Sequence, residues 1–478
     1  MDLPVDLDAR GDRTSAIYRA LLAAIRSGRL GVGDRLPPSR TLAKDLGVAR
    51  NTVATAYERL VAEGFLDARV GDGTYVADLA APAPAPRHPG ALNPRPGFRF
   101  RPLPVSGEAE RAPYDFRAGI PDATLFPFDT WRRLVAAELR AARNLGTYAS
   151  PAGHPDLRGA IARYLSLGRG VAADPDDVIV THGTQQALDL VARVLVEPGD
   201  VVVVEDPGYP FARELFASYG ARVVPVRVDG DGLVVDEVPD RARLVFTTPS
   251  HQFPLGPPLS LARRQALLEF ANRHRVAIVE DDYDSEFRFT ERPLETLHSL
   301  DRHGRVVYVG TFSKSLVPGL RAGYLVAPPS LRDALRGARQ LADGYGAPAE
   351  QVALARFVSD GMLGRHLRRA LRAYAERREL VLDGIARLLP QLEVVPSAAG
   401  LHVTAVFGVP TDDVAVVEAA ARQGVAVEAL SSYAVEQPVS GLVFGYGATA
   451  TPMVTPGLER LARLLGSGTA TPARPARR

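Results

Sequence analysis

Residues 81–104 hold eight prolines in 24 positions, beginning Ala-Pro-Ala-Pro-Ala-Pro, together with Arg87, Arg95, Arg99 and Arg101 and no acidic residue. Proline fixes φ and removes a backbone donor, so such a stretch is an extended, semi-rigid spacer that builds no core of its own. Whatever folds must therefore fold on either side of it. The chain has 478 residues, 46% of them hydrophobic and 23% charged, enough to bury large cores in about three domains. The expected division is a small unit over residues 1–78, a spacer over 79–113, a large unit over 114–466 and a mobile basic tail over 467–478. The large unit should divide again near residue 330.

Charge excludes one broad class of function and leaves another open. With 57 basic and 55 acidic side chains the formal charge is only +2, so no global field marks the chain as a nucleic-acid or membrane binder, and any basic surface must be local. The absence of cysteine removes disulfides, thiolate metal sites and cysteine nucleophiles, and fits a reducing cytoplasm. No apolar run approaches membrane-spanning length and no leader pattern opens the chain, so neither insertion nor secretion is expected. Nine histidines without His-x-x-x-His spacing make no case for a metal. Of the 57 basic residues, only Lys44 and Lys314 are lysine. A guanidinium replaces a surface ammonium well, but a Schiff base to an aldehyde needs a primary amine of adjustable pKa. Lys314 stands out on that ground alone.

Residues 14–60 read as three short helices. The apolar spacing runs through Ile17, Leu21, Leu22 and Ile25, then Leu42, Ala43 and Leu46, then Val53, Ala56, Tyr57 and Leu60. Pro37 and Pro38 end the preceding segment, Ser39 is the expected N-cap of the second helix, and Gly47 makes the turn into the third. Residues 64–76 then read as two short strands around a Gly-Asp-Gly turn that includes Gly73. The outline is a winged helix-turn-helix.

From about residue 114 to 328 the pattern alternates β-branched runs, such as 177–180, 201–204, 244–246, 276–279 and 306–309, with helical periodicity. That argues for a mainly parallel sheet covered on both faces, followed over 330–466 by a smaller α+β part. Ligands of open α/β sheets bind at the carboxyl ends of the strands, and the residues just beyond each strand form a coherent set. After Val180 comes Thr181-His182-Gly183-Thr184-Gln185-Gln186, a glycine turn into a helix suited to a phosphate. After Val204 comes Glu205-Asp206-Pro207-Gly208-Tyr209, with an aromatic ring placed to stack on a planar group. Thr247-Thr248-Pro249-Ser250-His251-Gln252 supplies short polar donors, and Glu280-Asp281-Asp282-Tyr283 joins acids to a phenol. Gly310-Thr311-Phe312-Ser313-Lys314 brings the amine, with Arg321 seven residues on. Together these supply the parts that pyridoxal phosphate (PLP) requires: an amine for the aldehyde, a carboxylate for the ring nitrogen, a phenol for the ring oxygen, a stacking ring and a phosphate cup.

The segments Gly183-Thr184-Gln185-Gln186-Ala187-Leu188, Glu280-Asp281-Asp282-Tyr283, Thr311-Phe312-Ser313-Lys314 and Pro318-Gly319-Leu320-Arg321 resemble fold type I aminotransferases. The first 76 residues, with Leu36-Pro37-Pro38-Ser39-Arg40 and the Gly71-Asp72-Gly73-Thr74-Tyr75 wing, resemble the DNA-binding domain of GntR regulators. Joined by a long linker, the two halves are similar to the MocR/GabR family of transcription regulators over almost the whole chain. The resemblance implies a multidomain α/β protein: a winged helix-turn-helix followed by a PLP-binding, aminotransferase-like domain with a mixed, mainly parallel sheet and a smaller C-terminal part.

The resemblance further implies that Lys314 attaches the cofactor, Asp281 pairs with the ring nitrogen and Tyr283 bonds the ring oxygen. Tyr209 stacks on the ring, while Gly183, Thr184, Gln185, Thr311, Ser313 and Arg321 match the phosphate cup. Tyr148 is similar to the tyrosine that reaches the phosphate of a partner subunit, which implies a head-to-tail homodimer. His251 and Gln252 occupy the place of an asparagine-containing motif, and which of them faces the ring is left open. One stretch departs from the aminotransferase pattern. Where those enzymes present an arginine to the substrate carboxylate, this chain has Leu442-Val443-Phe444-Gly445-Tyr446. Valine cannot bind a carboxylate, so turnover of ordinary amino acids is in doubt unless Arg117 or Arg213 substitutes.

On the DNA side, a recognition helix beginning Arg50-Asn51-Thr52 presents base-reading side chains to the major groove, and Arg40, Thr41 and Lys44 are placed for phosphates, with Gly73 in the wing. Residues 10–77 carry 11 basic and seven acidic side chains, a local excess of +4 hidden in the whole-chain balance. Two functions follow from the resemblance: a regulator whose C-terminal half senses PLP, alone or with an amino compound, or an aminotransferase with a DNA-binding appendage. The missing carboxylate arginine favours the regulator, with control of vitamin B6 or amino-compound metabolism as its field.

Overall fold

The computed structural model describes residues 12–69, 71–78, 112–141, 146–289, 295–436 and 439–466. The chain separates into two compact units, Met1–Asn93 and Pro94–Arg478. The proline-rich spacer, almost entire, and the basic tail lie outside the described residues.

The smaller unit comprises α1 (Arg13–Arg26), β1 (Arg35–Leu36), α2 (Ser39–Leu46), α3 (Arg50–Ala62), β2 (Leu66–Arg69) and β3 (Gly73–Val76). The apolar positions at helical spacing converge: Ile17, Leu21, Leu42, Val53, Ala56 and Leu60 are all buried in one core. Ser39 is not a cap but the first helical residue, because Pro38, locked in an extended conformation, holds the cap position with no side-chain bond. The Pro38 carbonyl accepts the first helical N–H groups instead, from Thr41 at 2.8 Å and Leu42 at 3.1 Å. Gly47 ends α2 in the left-handed conformation, φ 65°, the turn that sends α3 across α2. Tyr57 Oη donates to the Pro37 carbonyl at 2.9 Å, pinning α3 to the chain that precedes α2. β3 pairs antiparallel with both β1 and β2, which forms the wing.

The larger unit begins with β4 (Tyr114–Asp115), α4 (Phe128–Ala141), α5 (Pro155–Arg169), β5 (Val178–Thr181), α6 (Thr184–Leu195), β6 (Val201–Asp206), α7 (Pro210–Ser218), β7 (Arg222–Asp229), β8 (Gly232–Leu233) and β9 (Ala242–Thr247). It continues with α8 (Leu261–His274), β10 (Ala277–Asp282), α9 (Leu297–Leu300), β11 (Val306–Thr311), β12 (Gly323–Val326), α10 (Arg332–Asp343), α11 (Pro348–Ser359) and α12 (Met362–Leu388). The last elements are β13 (Leu392–Val394), β14 (His402–Phe407), α13 (Asp413–Arg422), β15 (Val425–Ala426), β16 (Glu428–Ala429), β17 (Gly441–Gly445) and α14 (Thr451–Gly466).

Eight strands form one sheet in the order β5-β12-β11-β10-β9-β6-β7-β8. The run β11-β10-β9-β6-β7 is parallel, and β12 lies antiparallel between β11 and β5. Successive residues of one strand enter opposite cores: Val202 and Val204 pack with Leu188 and Phe246, whereas Val201 and Val203 pack with Leu267 and Ile278. Both faces are apolar, which is why the strands read as continuous β-branched runs. A second, antiparallel sheet, β13-β14-β17-β16, makes the smaller part. The 27-residue α12 links the parts, with Leu363 in the core beside the large sheet and Tyr374, Val381 and Ile385 in the core of the smaller part. β4 pairs in parallel with β15, so residues 114–116 join the smaller part although they precede the large one in sequence. This detour brings residues 117–120 back across the interface between the two sheets.

Candidate functional site

A cleft of about 280 Å³ opens where β6, β9, β10 and β11 end, and its lining includes Lys314, Asp281, Tyr283, Tyr209, Arg321 and Glu428. Residues 118 and 119 close one side. Their path depends on Gly445, where any Cβ would lie 2.1 Å from the Arg117 carbonyl oxygen. Lys314 lies beyond the end of β11, and its Nζ donates to the Gly119 carbonyl at 2.7 Å. Burial pulls the Lys314 ammonium below its usual range, against the opposing charges of Asp284, Asp281 and Glu428. A depressed amine is what attack on an aldehyde demands.

The three acids of β10 have separate fates because strand side chains alternate. Asp282 pairs with Arg169 at 2.6 Å and accepts from Tyr308 Oη at 2.5 Å. Although burial works against its charge, Arg169 and Tyr308 hold its carboxyl below the usual range. Glu280 receives the Leu297 and His298 N–H groups at 2.9 and 2.8 Å, and burial pushes it up to about 7. Asp281 alone faces the cleft. Its Oδ1 is buried with no hydrogen-bond partner, and burial, then the charge of Asp282, raises its carboxyl to about 8.

Tyr283 Oη lies 3.0 Å from His251 Nδ1 and donates to the His251 carbonyl at 3.1 Å. His251 Nδ1 is also 3.1 Å from Asp284, whose other oxygen accepts the Leu401 N–H at 3.2 Å. Asp284 thus orients the imidazole that holds the phenol. Gln252 turns away from the cleft, donating to Glu205 at 3.2 Å and to the Pro207 carbonyl at 2.9 Å. Glu205 also collects the hydroxyls of Thr247 and Thr248, so Gln252 braces the ends of β6 and β9. Of the pair His251 and Gln252, only His251 bonds to Tyr283, whereas Gln252 holds backbone carbonyls, including that of the lining residue Phe253 at 2.6 Å.

At the opposite side, Gly183 caps α6 with φ 80°, a conformation that favours glycine. Thr184 and Gln185 form the first helical positions, where backbone N–H groups are free of helical partners. Thr311 Oγ1 accepts the Ser313 N–H at 3.1 Å. Arg321 donates to the His182 carbonyl at 2.8 Å, beside Gly183. Helix start, hydroxyls and guanidinium all line one cleft with Lys314 and Asp281, and Gly183 lies against that guanidinium. These residues fit PLP: the unpartnered Asp281 Oδ1 suits the N–H of a protonated pyridine, and Tyr209 offers a ring face at the start of α7.

Other expected residues lie outside the cleft. Tyr148 is 93% exposed, with its ring edge-on to Tyr345 at 6.0 Å. Arg117 is gripped by Asp115 through Nε at 2.8 Å and Nη2 at 2.6 Å, and Arg213 lies against Glu214 at 3.4 Å. Neither lines the cleft. The lining also includes residues that sequence reasoning missed, among them Glu428, Tyr433, Phe253 and His402. Glu428 and His402 lie on strands of the smaller sheet with no local signature, and sheet pairing brings them to the cleft.

In the smaller unit, Arg50 and Asn51 are exposed at the start of α3, with Thr52 half-buried beside them, and Arg40, Thr41 and Lys44 are exposed on α2. Arg40, Lys44 and Arg50 form no ion pair among the described residues. Gly73 stands at the turn end of the wing, opposite Arg69, where a Cβ would lie 2.8 Å from Arg35 Nε. Among the described residues, no helix is long and apolar enough to cross a membrane.

Comparison with known proteins agrees with both halves. Residues 13–76 match the family model for bacterial regulatory proteins of the gntR family, and residues 121–443 match aminotransferase class I and II. The chain is 40% identical over 467 residues to the probable rhizopine catabolism regulatory protein MocR of Rhizobium meliloti, covering 96% of this chain and 95% of that one. It is 33% identical over 451 residues to the pyridoxine biosynthesis transcriptional regulator PdxR of Corynebacterium glutamicum, covering 94% and 95%. Among solved structures, the α-aminoadipate aminotransferase LysN of Thermus thermophilus, complexed with N-(5'-phosphopyridoxyl)-L-leucine, superposes with a TM-score of 0.68 at 28% identity, covering 74% of this chain and 92% of that one.

Proposed function

This chain belongs to the GntR-family transcription regulators of the MocR type, with a PLP-dependent aminotransferase-like domain as its larger unit, and we propose that PLP, alone or with an amino compound, is the effector that sets its grip on DNA. PLP supplies an aldehyde that captures amines and a ring that withdraws electrons. Lys314 holds that aldehyde, Asp281 the ring nitrogen and Tyr283 the ring oxygen, with Tyr209 against the ring. Gly183, Thr184, Gln185, Thr311, Ser313 and Arg321 take the phosphate. The observation that carries this reading is the pairing of Lys314, one of only two lysines in the chain, with the unpartnered carboxylate oxygen of Asp281 in the same cleft.

Arg50, Asn51 and Thr52 read bases, while Arg40, Thr41 and Lys44 hold phosphates. Tyr148 supports a head-to-tail homodimer, since a highly exposed tyrosine on the cleft-bearing unit is available to a partner's phosphate cup. The target genes belong to vitamin B6 or amino-compound metabolism, a reading supported by the names of the two regulators above. Coupling requires that PLP favour one of two arrangements of the DNA-binding units.

The test is a titration of the PLP-free and PLP-loaded full chain against its own upstream DNA at one fixed salt concentration, because phosphate contacts dominate affinity. A several-fold change in affinity or footprint on loading is the expected result. Specific binding that ignores PLP would overturn its role as effector. Absence of specific binding, with transamination of amino acids at enzymatic rates, would instead favour an aminotransferase carrying a DNA-binding appendage.

A further inference from the structure

The end of the cleft nearest residues 118 and 119 has the opposite charge from the one an amino acid needs. Glu428 opens β16 and pairs directly across the strands with Val443 of β17. Val443 lies in the stretch where aminotransferases, by resemblance, present an arginine to the substrate carboxylate. The arginine is absent, and its cross-strand neighbour is a carboxylate. Residues directly opposite on antiparallel strands share one face of the sheet, and of this pair it is Glu428 that lines the cleft.

The surroundings leave that carboxylate available. Its Oε2 accepts the Ala118 N–H at 2.9 Å, and the Tyr433 hydroxyl bonds to it. A carboxylate has about four acceptor positions, so the remaining ones are left for a ligand. The next residue, Gly119, takes the Lys314 amine on its carbonyl, so Glu428 and Lys314 sit on consecutive residues of one strand of backbone. The nearest guanidinium, Arg117, is engaged by Asp115. Among the described lining residues the cations are Lys314 and Arg321, and Arg321 stands at the glycine turn of the phosphate cup. Burial raises the Glu428 carboxyl, against the charge of Arg117 and the bonds from Ala118 and Tyr433.

We propose that this cleft selects ligands bearing a hydrogen-bond donor, an ammonium or a hydroxyl, where an amino acid bears its carboxylate: diamines and amino alcohols rather than amino acids. The proposal rests on the cofactor-responsive reading above. A ligand carboxylate would meet the Glu428 carboxylate as a like charge, whereas an ammonium or hydroxyl completes its hydrogen bonds.

Three compounds of equal length test this on the PLP-loaded full chain by isothermal titration calorimetry: 1,4-diaminobutane, 4-aminobutan-1-ol and 4-aminobutanoate. They share one amine and differ only in the far group. The diamine and the amino alcohol are expected to bind about tenfold or more tighter than the amino acid, the ratio a buried charge-assisted hydrogen bond sustains. Glu428→Gln is expected to weaken the diamine by about tenfold and to bring the three within a few-fold of one another. Equal or tighter binding of 4-aminobutanoate to the natural chain overturns the proposal, as does no binding of the diamine and the amino alcohol, or an unchanged ranking in Glu428→Gln. The visible absorbance of the loaded protein separates the two failures. A normal cofactor band with the wrong ranking overturns ligand selection alone, whereas a band that never forms, or that survives Lys314→Ala, overturns the cofactor reading beneath it.

Discussion

Glu280, Asp281 and Asp282 are consecutive in the sequence and have nothing else in common. Two are neutralised by N–H groups or by Arg169 on one side of β10, and Asp281 is left facing the cleft with its carboxyl raised to about 8 from 3.8. The folded chain therefore keeps this proton at pH values where the unfolded chain has lost it, and the stability it contributes is full below about pH 4 and declines as pH rises toward 8. Asp281→Asn keeps the shape and cannot ionise. Without cofactor it should melt above the natural chain at pH 8, with the difference shrinking toward pH 5, and in saturating PLP the order should reverse because the carboxylate then has the ring nitrogen as partner. Thermal melts at both pH values check this. Lys314→Ala should abolish the visible band of the loaded protein at about 420 nm and its fixation by borohydride. Lys314 was legible in the sequence through lysine scarcity, whereas Asp281 was told from the acids beside it only through the family resemblance. The role of Asp284 was not, because its link to Tyr283 passes through His251, 33 residues away.

At the scale of elements, β12 decides the shape of the phosphate cup. It runs antiparallel between β11 and β5, and Gly323 lies so close to the glycine turn that a Cβ there would stand 2.7 Å from Gly183 Cα and 3.1 Å from its nitrogen. Gly323→Ala must displace backbone rather than a side chain, at a cost of about 1–3 kcal/mol. The expected result is at least about a tenfold loss of PLP affinity, equal to about 1.4 kcal/mol, in a chain that still folds, as read by spectroscopic titration. On α3, Arg50→Ala should cost about 1–3 kcal/mol in operator binding and relax preference at one base position. Binding measured over a set of single-base operator variants checks it, and a uniform loss across the set would make Arg50 a phosphate contact instead. The helices and most strands were readable from periodicity. β4 was not placed, because two residues carry no period and their pairing with β15 is set by packing against Phe116 and the core of the smaller part.

At the scale of the molecule, two compact units of very different size share one chain, and PLP has its site in only one of them. Calorimetry of the full chain should therefore show the transition of the larger unit rising with PLP, by about 2.7 kcal/mol of added stability at a hundred times the dissociation constant. A cofactor that left this transition unmoved would place the binding site elsewhere.

The sequence alone determined the presence of a spacer, the winged helix-turn-helix, the mainly parallel sheet and the residue types gathered with Lys314. These depend on local signals: proline density, apolar period, turn glycines and the residue types just beyond each strand. Tertiary structure decided what the far end of the cleft presents. Glu428 lies more than a hundred residues from Lys314 in sequence, and nothing in a short Val-Glu-Ala strand marks it as a ligand group. It reaches the cleft because β16 pairs with β17, and because β4 leads residues 117–120 between the two sheets, where their backbone holds the carboxylate and the amine side by side.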